Sequence, residues 1–406
     1  MEKFNSKNLS VVFAGCARNC EPFLKKTLDN IKSYSSLFKE SFQVIVENGS
    51  KDNTREILKK NQSDKDYYLF EDDLNKFPFR GLRLEKARNT FIQKIKSTSR
   101  LKKCDLLIVL DLDESGNYKI NNQAILKSLN FLYSKKLIGA VFANQLGTYY
   151  DMWTLRDKKY CKNDFWAEVL QNIIKKINPK ENITNDILIE VEKNYIEKKT
   201  YTFDENSSPI LVESAFGGFG IYKMNYALKN QRLYEGTQLV NLIFKDNTKS
   251  KVKFQKCEHV NFNLGLIDQN LELYILPYLI NGEHLSVTFP SRAALNSGSG
   301  IVFLYWCSDN YDILHKIKAK YPDIISNFYY NVIKSKEYES GSFCFGPGVL
   351  LNNKLKRIKG YFNTDNVVVD SGGFNYFSGF NNPKIINNIS NSYFDSNAFP
   401  KGILTP

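Results

Sequence analysis

Two carboxylates lie one residue apart at the end of an apolar run, and their spacing suits a metal-assisted reaction. The run Leu106–Leu110 is entirely aliphatic and leads directly into Asp111, Leu112 and Asp113. Side chains alternate in direction along a strand, so both aspartates can face one hard divalent cation, or one can face the cation and the other a ribose hydroxyl. The plainer alternative is a strand end followed by an acid that caps a helix.

A second polar segment, Glu47–Ser50, follows another short apolar run. Gly49 permits a tight turn, and side chains at such a strand end can reach a nucleobase or a ribose. We therefore interpret Glu47 and Asn48 as candidates for nucleotide contact. The alternative is a turn that caps the following helix.

Basic residues near both segments suit a diphosphate. Arg83 and Arg88 lie around the start of a predicted helix, and Arg18 follows the first predicted strand. Guanidinium groups and the free backbone N–H groups of a helix start both bind phosphate oxygens. A solvated basic helix face is the ordinary explanation for such charges.

Three later segments combine aromatic, glycine and acidic residues: Tyr149–Arg156, Glu213–Tyr222 and Cys257–Val260. In the second, two glycines between aromatic rings, Phe216–Phe219, would let the backbone approach a sugar while a ring stacks on the apolar face of that sugar. A glycine-rich bend in a strand is the alternative. For His259, one of only three histidines, the alternative to a metal ligand is a structural histidine with satisfied hydrogen bonds.

Taken in order, these segments resemble those of nucleotide-sugar glycosyltransferases of the GT-A fold, in particular family 2-like enzymes. The family pattern is a strand ending in Asn-Asp-Gly-Ser, a helix with Ala-Arg-Asn and a strand ending in Asp-x-Asp; here Asn48 stands where the pattern has an acid. The three later segments look like those of glycosyltransferases related to fungal capsule-associated mannosyltransferases and their large-virus and bacterial relatives. The resemblance covers about residues 9–265.

The resemblance implies transfer of a sugar from a UDP- or GDP-sugar to a hydroxyl of a glycan or glycoconjugate, assisted by Mn²⁺ or Mg²⁺. The implied metal ligands are Asp111, Asp113 and His259. The implied nucleotide contacts are Arg18, Glu47, Asn48, Arg83, Arg88 and Asp111. The implied acceptor contacts are Trp153, Phe216, Gly217 and Gly218. The candidates for the base of an inverting reaction are Glu213, Glu258, Asp151 and Asp164, with Glu213 first because it lies just before the Gly-Gly segment.

The elements that must position these residues alternate between short apolar runs and segments of helical period. This alternation predicts an α/β fold, a Rossmann-like and mostly parallel sheet with helices on both faces, in which ligands bind at the carboxyl ends of the strands. The predicted strands are Leu9–Ala14, Phe42–Val46, Tyr67–Phe70, Leu106–Leu110 and Ile138–Phe142. The predicted helices are Glu21–Leu37, a helix from about Asn53, Leu84–Ile95, Gln123–Tyr133 and Leu264–Ile280.

Two shifts in composition suggest the domain organisation. Residues Phe165–Asn206 are polar and rich in Lys and Glu, which predicts a solvated lobe. The SGSG segment at 297–300 precedes a fresh apolar run, so we place a GT-A domain at 1–299 and a C-terminal region at 300–406. The abundant aromatic and Asn residues of that region favour an accessory role at the acceptor.

Charge and cysteine content narrow the function class. The 406 residues carry a formal net charge of +13 and seven cysteines. Without a C-x-x-C pair, an apolar leader or a long apolar run, we expect a cytoplasmic protein, with peripheral membrane contact through a basic surface as a further expectation. Nucleic-acid binding is not favoured because no motif for it is present. The alternatives to a glycosyltransferase are a non-catalytic carbohydrate- or nucleotide-binding protein on the same fold and a metal-dependent nucleotidyltransferase.

Overall fold

A mixed sheet of eight strands forms the centre of the fold. The computed structural model describes residues 5–63, 66–71, 74, 77, 80–113, 116, 118–149, 151–179, 187, 190–284, 343–344 and 367–368. The strands of the large sheet are β1 (Ser10–Ala17), β2 (Glu40–Glu47), β3 (Tyr67–Glu71), β4 (Leu106–Leu110), β5 (Ile138–Gly147), β6 (Ile210–Val212), β7 (Phe219–Lys223) and β10 (Glu272–His284). Two smaller sheets are the hairpin of β8 (Thr237–Ile243) with β9 (Lys249–Gln255), and the pair β11 (Phe343–Cys344) with β12 (Val367–Val368).

The strand order in the large sheet is β3-β2-β1-β4-β7-β5-β10-β6. Strands β3, β2, β1 and β4 are mutually parallel, and β7 runs antiparallel to both β4 and β5. Strand β5 pairs in parallel with β10, and β6 closes the sheet in antiparallel. The carboxyl ends of β1, β2 and β4 therefore meet at one edge, as a doubly wound sheet requires.

Seven α-helices are present in the described part of the chain. Their bounds are α1 (Glu21–Ser35), α2 (Thr54–Lys60), α3 (Arg80–Ser97), α4 (Asn122–Ser134), α5 (Phe165–Ile174), α6 (Met224–Lys229) and α7 (Glu258–Ile267). None of them combines the length and the apolar character that a bilayer crossing needs.

The predicted alternation of strands and helices up to β5 is confirmed, and the run Leu106–Leu110 is a strand with those same bounds. All five of its residues are buried, because helices cover both faces of the sheet. On one face the apolar side chains of α1 and α4 pack against β4, with Ile31, Leu129 and Ile108 in one hydrophobic cluster. This packing holds the β4 end rigidly.

The predicted helix Leu264–Ile280 is wrong. Helix α7 ends at Ile267, and β10 begins at Glu272. From Leu273 to Ile280 the segment is almost entirely apolar, so periodicity does not separate a buried strand from a buried helix, and Pro277 disfavours a helix interior. Pro277 instead lies where the pairing of β10 with β5 shifts register, between Ile275 and Ile280.

The chain divides into two compact units. The first comprises residues 1–164, 200–236 and 256–287, and it contains the large sheet and every predicted site residue. The second comprises residues 165–199, 237–255 and 288–406, and it contains α5 and the β8–β9 hairpin. The predicted solvated lobe, Phe165–Asn206, falls largely in this second unit. The predicted boundary at 299/300 lies outside the described residues.

Candidate active site

The two aspartates of the D-x-D segment lie at the carboxyl end of β4. The backbone N–H of Asp111 donates to the carbonyl oxygen of Gly218 at 3.0 Å, which ties this strand end to the Gly-Gly bend. About a quarter of the Asp111 side chain is exposed. Burial, followed by the negative charge of Asp113, raises the pKa of Asp111 to about 7, against the opposing effect of Arg88 and Arg80. An acid with this pKa beside a second acid is a site that a cation would stabilise.

Arg88 of α3 joins three elements around this strand end. Its Nε donates to Glu258 Oε1 at 2.7 Å, and its Nη2 donates to Asp111 Oδ1 at 3.1 Å. The guanidinium carbon lies 5.2 Å from the centre of the Phe216 ring and 5.9 Å from that of Tyr234. Nη1 has no hydrogen-bond partner among the described residues. The side chain that the sequence suggests as a diphosphate ligand is therefore also the link between β4 and α7.

His259 is buried beside this ion pair, in the first turn of α7 rather than on a strand. Its ring stacks on Phe216 with 3.8 Å between ring centres, and Tyr234 contacts it edge-on at 5.4 Å. Burial, with Arg88 and Arg80, holds the pKa of His259 well below its usual range, so the imidazole is neutral. Both ring nitrogens lack a hydrogen-bond partner within the described part of the chain. A neutral imidazole with a free nitrogen can ligate a metal.

No group of three or more His, Cys, Asp or Glu side chains is arranged to hold a metal ion, as far as the described residues extend. The set of Asp111, Asp113 and His259 thus stays a prediction. Asp111 and Asp113 share a strand end, whereas His259 reaches this region from α7. The pair of carboxylates is the part of the predicted metal site that the backbone brings together directly.

The Gly-Gly bend has a conformation that requires glycine. Gly217 and Gly218 have φ values of +63° and +77°, and a Cβ on Gly217 would lie 2.5 Å from the carbonyl oxygen of Ala143. Asp151 Oδ2 accepts from the Gly217 N–H at 2.9 Å. Phe216 is only 3% exposed because it packs between Arg88 and His259. These contacts hold the Gly-Gly bend in place. The contact of Phe216, Gly217, Gly218 and Trp153 with an acceptor stays a prediction.

Three of the four candidate bases are engaged in structural contacts. Asp164 accepts from Arg156 at 2.6 Å, and Glu258 accepts from Arg88. Asp151 accepts from Gly217 and from the backbone and hydroxyl of Thr154, although burial still raises its pKa to about 6.

Glu213 differs from these three acids. It is partly exposed, and its side chain makes no hydrogen bond or ion pair with any other described residue. Its backbone N–H donates to the carbonyl oxygen of Arg156, which fixes the chain just before the bend.

The polar side chains at the end of β2 are more buried and more fully hydrogen-bonded than the sequence suggests. Glu47 is fully buried; its Oε1 accepts from the Ser50 N–H and its Oε2 from Arg55 at 2.9 Å. Arg18 Nη1 donates to the carbonyl oxygen of Asn48 at 3.2 Å. The side-chain oxygen of Asn48 is buried without a hydrogen-bond partner among the described residues. Of the two predicted base contacts, Asn48 therefore has the acceptor atom that remains available.

Two residues near Asp111 were not among the sequence candidates. Arg80, at the start of α3, acts electrostatically on both Asp111 and His259, whereas Arg83 Nη1 donates to the carbonyl oxygen of Phe77 at 3.0 Å. Arg80 precedes Arg83 by three residues, so the two share a helix face, and this spacing is a signal that the sequence already contains. Cys16, at the end of β1, lies close enough to Arg88 for an electrostatic effect, and burial raises the pKa of its thiol to about 12.

Comparison with known proteins gives one family and several structures. Residues 15–184 match the model of a family described as Glycosyl transferase family 2. Among curated proteins, no sequence matches this chain.

Three solved structures illustrate the structural similarity. Residues 1–349 of TarS from S. aureus are 12% identical, over 68% of this chain and 60% of theirs, with a TM-score of 0.36. The mannosyltransferase PcManGT from Pyrobaculum calidifontis, in complex with GDP-Man and Mn²⁺, is 11% identical over 87% of this chain and 70% of its own, with a TM-score of 0.37. Glucosyl-3-phosphoglycerate synthase from Mycobacterium tuberculosis, in complex with UDP, is 12% identical over 74% and 85%, with a TM-score of 0.32. The chain thus spans about 60% of the length of the TarS fragment, and similarity at this level assigns no ligand.

Proposed function

We propose that this chain is a glycosyltransferase, because residues 15–184 match the model of Glycosyl transferase family 2, and that it moves a sugar from a UDP- or GDP-sugar to a hydroxyl group of a glycan or glycoconjugate. We propose further that the reaction depends on Mn²⁺ or Mg²⁺. The observation that carries the proposal is the pair of carboxylates at the end of β4, where burial and Asp113 together raise the pKa of Asp111 to about 7.

The residues present fit a divalent cation. Mg²⁺ and similar hard ions are commonly held by one or two carboxylates, with phosphate oxygens and water completing the coordination. Asp111 and Asp113 supply that number of carboxylates, and the negative charge of Asp113 helps to raise the pKa of Asp111, an effect that a bound cation would oppose. A bound cation would stabilise the charge that develops on the departing nucleoside diphosphate.

The side chains around the carboxylates divide the remaining tasks. Arg18, which follows β1 and donates to Asn48, and Arg80 and Arg83 at the start of α3 would supply positive charge to the diphosphate. Arg88 keeps Asp111 in place by holding one of its oxygens. The diphosphate would therefore be bound chiefly by the arginines at the rim, whereas Arg88 orients the carboxylate.

We propose Glu213 as the base of an inverting reaction. A base must be able to accept the proton of the acceptor hydroxyl, so its oxygens should not already be committed to protein donors. Asp151, Asp164 and Glu258 each accept from an N–H group of the protein at 2.6 to 2.9 Å. Glu213 has no such contact within the described residues.

A thermal-shift panel with UDP, GDP, ADP and CDP, with and without Mn²⁺, tests the donor and metal assignments, because a ligand that binds only the native state raises Tm. We expect UDP or GDP to raise Tm only when Mn²⁺ is present, and we expect the matching sugar nucleotide to be hydrolysed slowly without an acceptor. Pyrophosphate release from a nucleoside triphosphate would instead indicate a nucleotidyltransferase. Binding of a nucleotide sugar without any turnover, across a panel of acceptors, would indicate a non-catalytic protein.

A further inference from the structure

The β8–β9 hairpin, in the second unit, has two faces of different character. Its pairing register sets Leu242 opposite Ser250 and Gln238 opposite Phe254 on one face. Leu242 and Phe254 are buried, and the Gln171 side chain of α5 bonds the backbone of Ile243 in both directions at 2.9 Å. One face of the hairpin is therefore packed within its own unit.

The other face is exposed and combines aliphatic and basic side chains. The register sets Ile243 opposite Lys249 and Asn241 opposite Lys251. Leu239 is 61% exposed, more than any other large hydrophobic residue in the described part of the chain, and Ile243 is 36% exposed. We call Leu239, Asn241, Ile243, Lys249 and Lys251 the hairpin face.

Three lysines of this region, Lys245, Lys249 and Lys251, form no ion pair with an acid among the described residues. Residues 237–255 contain four lysines and one acidic residue, Asp246 in the turn, whose Oδ1 accepts from the Thr248 N–H at 2.9 Å. In the same unit Lys176 and Lys199 are paired with Glu190 and Glu168. The hairpin therefore holds uncompensated positive charge beside exposed aliphatic side chains.

We propose that the hairpin face binds the surface of an anionic membrane. Lysines attract the anionic headgroups, while Leu239 and Ile243 enter the boundary between headgroups and acyl chains. A nucleic acid would also attract the lysines, but it offers no apolar layer for two aliphatic side chains, and the hairpin face contains no aromatic ring on which a base could stack. This inference does not depend on the proposed transfer reaction.

Co-sedimentation of the full chain with vesicles tests the proposal. The probe is phosphatidylcholine containing roughly 30% phosphatidylserine, compared with pure phosphatidylcholine, at about 50 mM and about 500 mM salt. We expect binding to the anionic vesicles at low salt and loss of most of it at high salt. Absence of binding to anionic vesicles at low salt, or equal binding to both vesicle types, would overturn the proposal.

Paired variants separate the hairpin face from the general positive charge of the chain. Each lysine near an anionic surface contributes roughly fivefold to partitioning, so K249Q/K251Q should lower the partition coefficient about 25-fold. Leu239→Ser should lower it about tenfold through lost apolar burial. The controls are K102Q/K103Q, a second pair of exposed lysines, and Leu211→Ser, which is 55% exposed in the first unit.

The controls should bind as the wild type does, and all variants should keep the wild-type Tm. Equal loss in the control and hairpin variants would overturn the assignment to this face. Anisotropy with a labelled single-stranded oligonucleotide supplies the last arm. If the hairpin variants weakened oligonucleotide binding while vesicle binding was unchanged, the face would be a nucleic-acid site and the proposal would be wrong.

Discussion

Strands β2 and β4 both deliver an acid to the same edge of the sheet, but the two acids are in different states. Glu47, the last residue of β2, has its charge compensated: it is fully buried, Arg55 donates to Oε2 and the Ser50 N–H donates to Oε1. Asp111 directly follows β4, and a second acid, Asp113, lies two residues further along the chain. The pKa of Asp111 is raised to about 7. The position at a strand end is shared, whereas the availability of the carboxylate is not.

The different surroundings of Glu47 and Asp111 distinguish a structural role for a strand-end acid from a proposed binding role. A buried carboxylate that accepts from both an arginine and a backbone N–H has little to gain from an added cation. Asp111 shares its buried arginine, Arg88, with Glu258, and the nearby charge of Asp113 raises its pKa, so an added cation would stabilise the ionised carboxylate. This contrast supports the proposal that a metal ion binds at the β4 end rather than at the β2 end.

The largest expected effect is that of Asp113→Ala. We expect sugar transfer to fall at least about a thousandfold and nucleoside diphosphate binding to lose its dependence on Mn²⁺, because the variant removes one of two carboxylates from the cation site. Transfer rates and calorimetric titration of UDP and GDP with and without Mn²⁺ measure both effects.

Asp105→Asn, at the opposite end of the same strand, is the matched control, since Asp105 bonds Ser10 rather than the β4 end. That variant should keep the metal response. Full activity of Asp113→Ala at saturating metal would show that the D-x-D segment only caps the loop.

The next effect is on stability, through Arg88. Arg88→Met leaves Glu258 almost fully buried and without its cation, which should lower the free energy of unfolding by about 3 to 5 kcal/mol. Urea denaturation measures this change. The double variant R88M/E258Q should recover part of the loss, because the orphaned charge is removed with the guanidinium.

Arg100→Met is the control for Arg88. Arg100 also pairs with two acids, Glu40 and Asp66, but its side chain is 44% exposed. Exposed pairs contribute little, so we expect a loss much smaller than that of Arg88→Met. Equal losses for the two arginines would mean that the burial of the Arg88 ion pair adds nothing to stability.

Asp151 gives a pH-dependent effect of intermediate size. Burial raises the pKa of Asp151 to about 6 from the usual value of 3.8, so the folded state holds its proton over a range in which the unfolded state releases it. Stability from this group is therefore present below about pH 4 and is lost as the pH rises to about 6, by up to about 2 kcal/mol after allowance for partial exposure.

The Asp151→Asn variant lacks this titration. The difference in the free energy of unfolding between wild type and variant should therefore change between about pH 4 and about pH 6 and stay constant above. Parallel stability curves for the two proteins across that range would contradict the assignment.

The same two strand ends show what the sequence predicts well and what it cannot. Apolar runs followed by turn residues predict strands β1, β2 and β4. Because the strands of a parallel sheet run in the same direction, their carboxyl ends lie at the same edge. Spacing along the chain does not show which donor groups form hydrogen bonds or ion pairs with each carboxylate. The bond between Arg88 and Glu258 spans 170 positions, and the burial of Glu47 depends on Arg55 from a different element. The predicted helix at 264–280 was wrong for a related reason, since pairing with β5 accompanies the extended conformation of its second half, which begins at Glu272.

The smallest expected effect distinguishes Glu47 from Asn48. Both are predicted nucleotide contacts, but only Asn48 retains an unpartnered acceptor oxygen among the described residues, and such an oxygen can accept from the N–H of uracil or guanine. Glu47→Gln should lower the free energy of unfolding by about 1 to 2 kcal/mol, through the weakened contact with Arg55, and leave the preference among UDP, GDP, ADP and CDP unchanged. Asn48→Ala should reduce that preference about fivefold to tenfold with little loss of stability. Calorimetric titration of all four nucleotides with Mn²⁺ measures both variants. A changed nucleotide preference in Glu47→Gln alone would show that Glu47 contacts the base. The acids at both strand ends would then contact the ligand, contrary to the contrast drawn between Glu47 and Asp111.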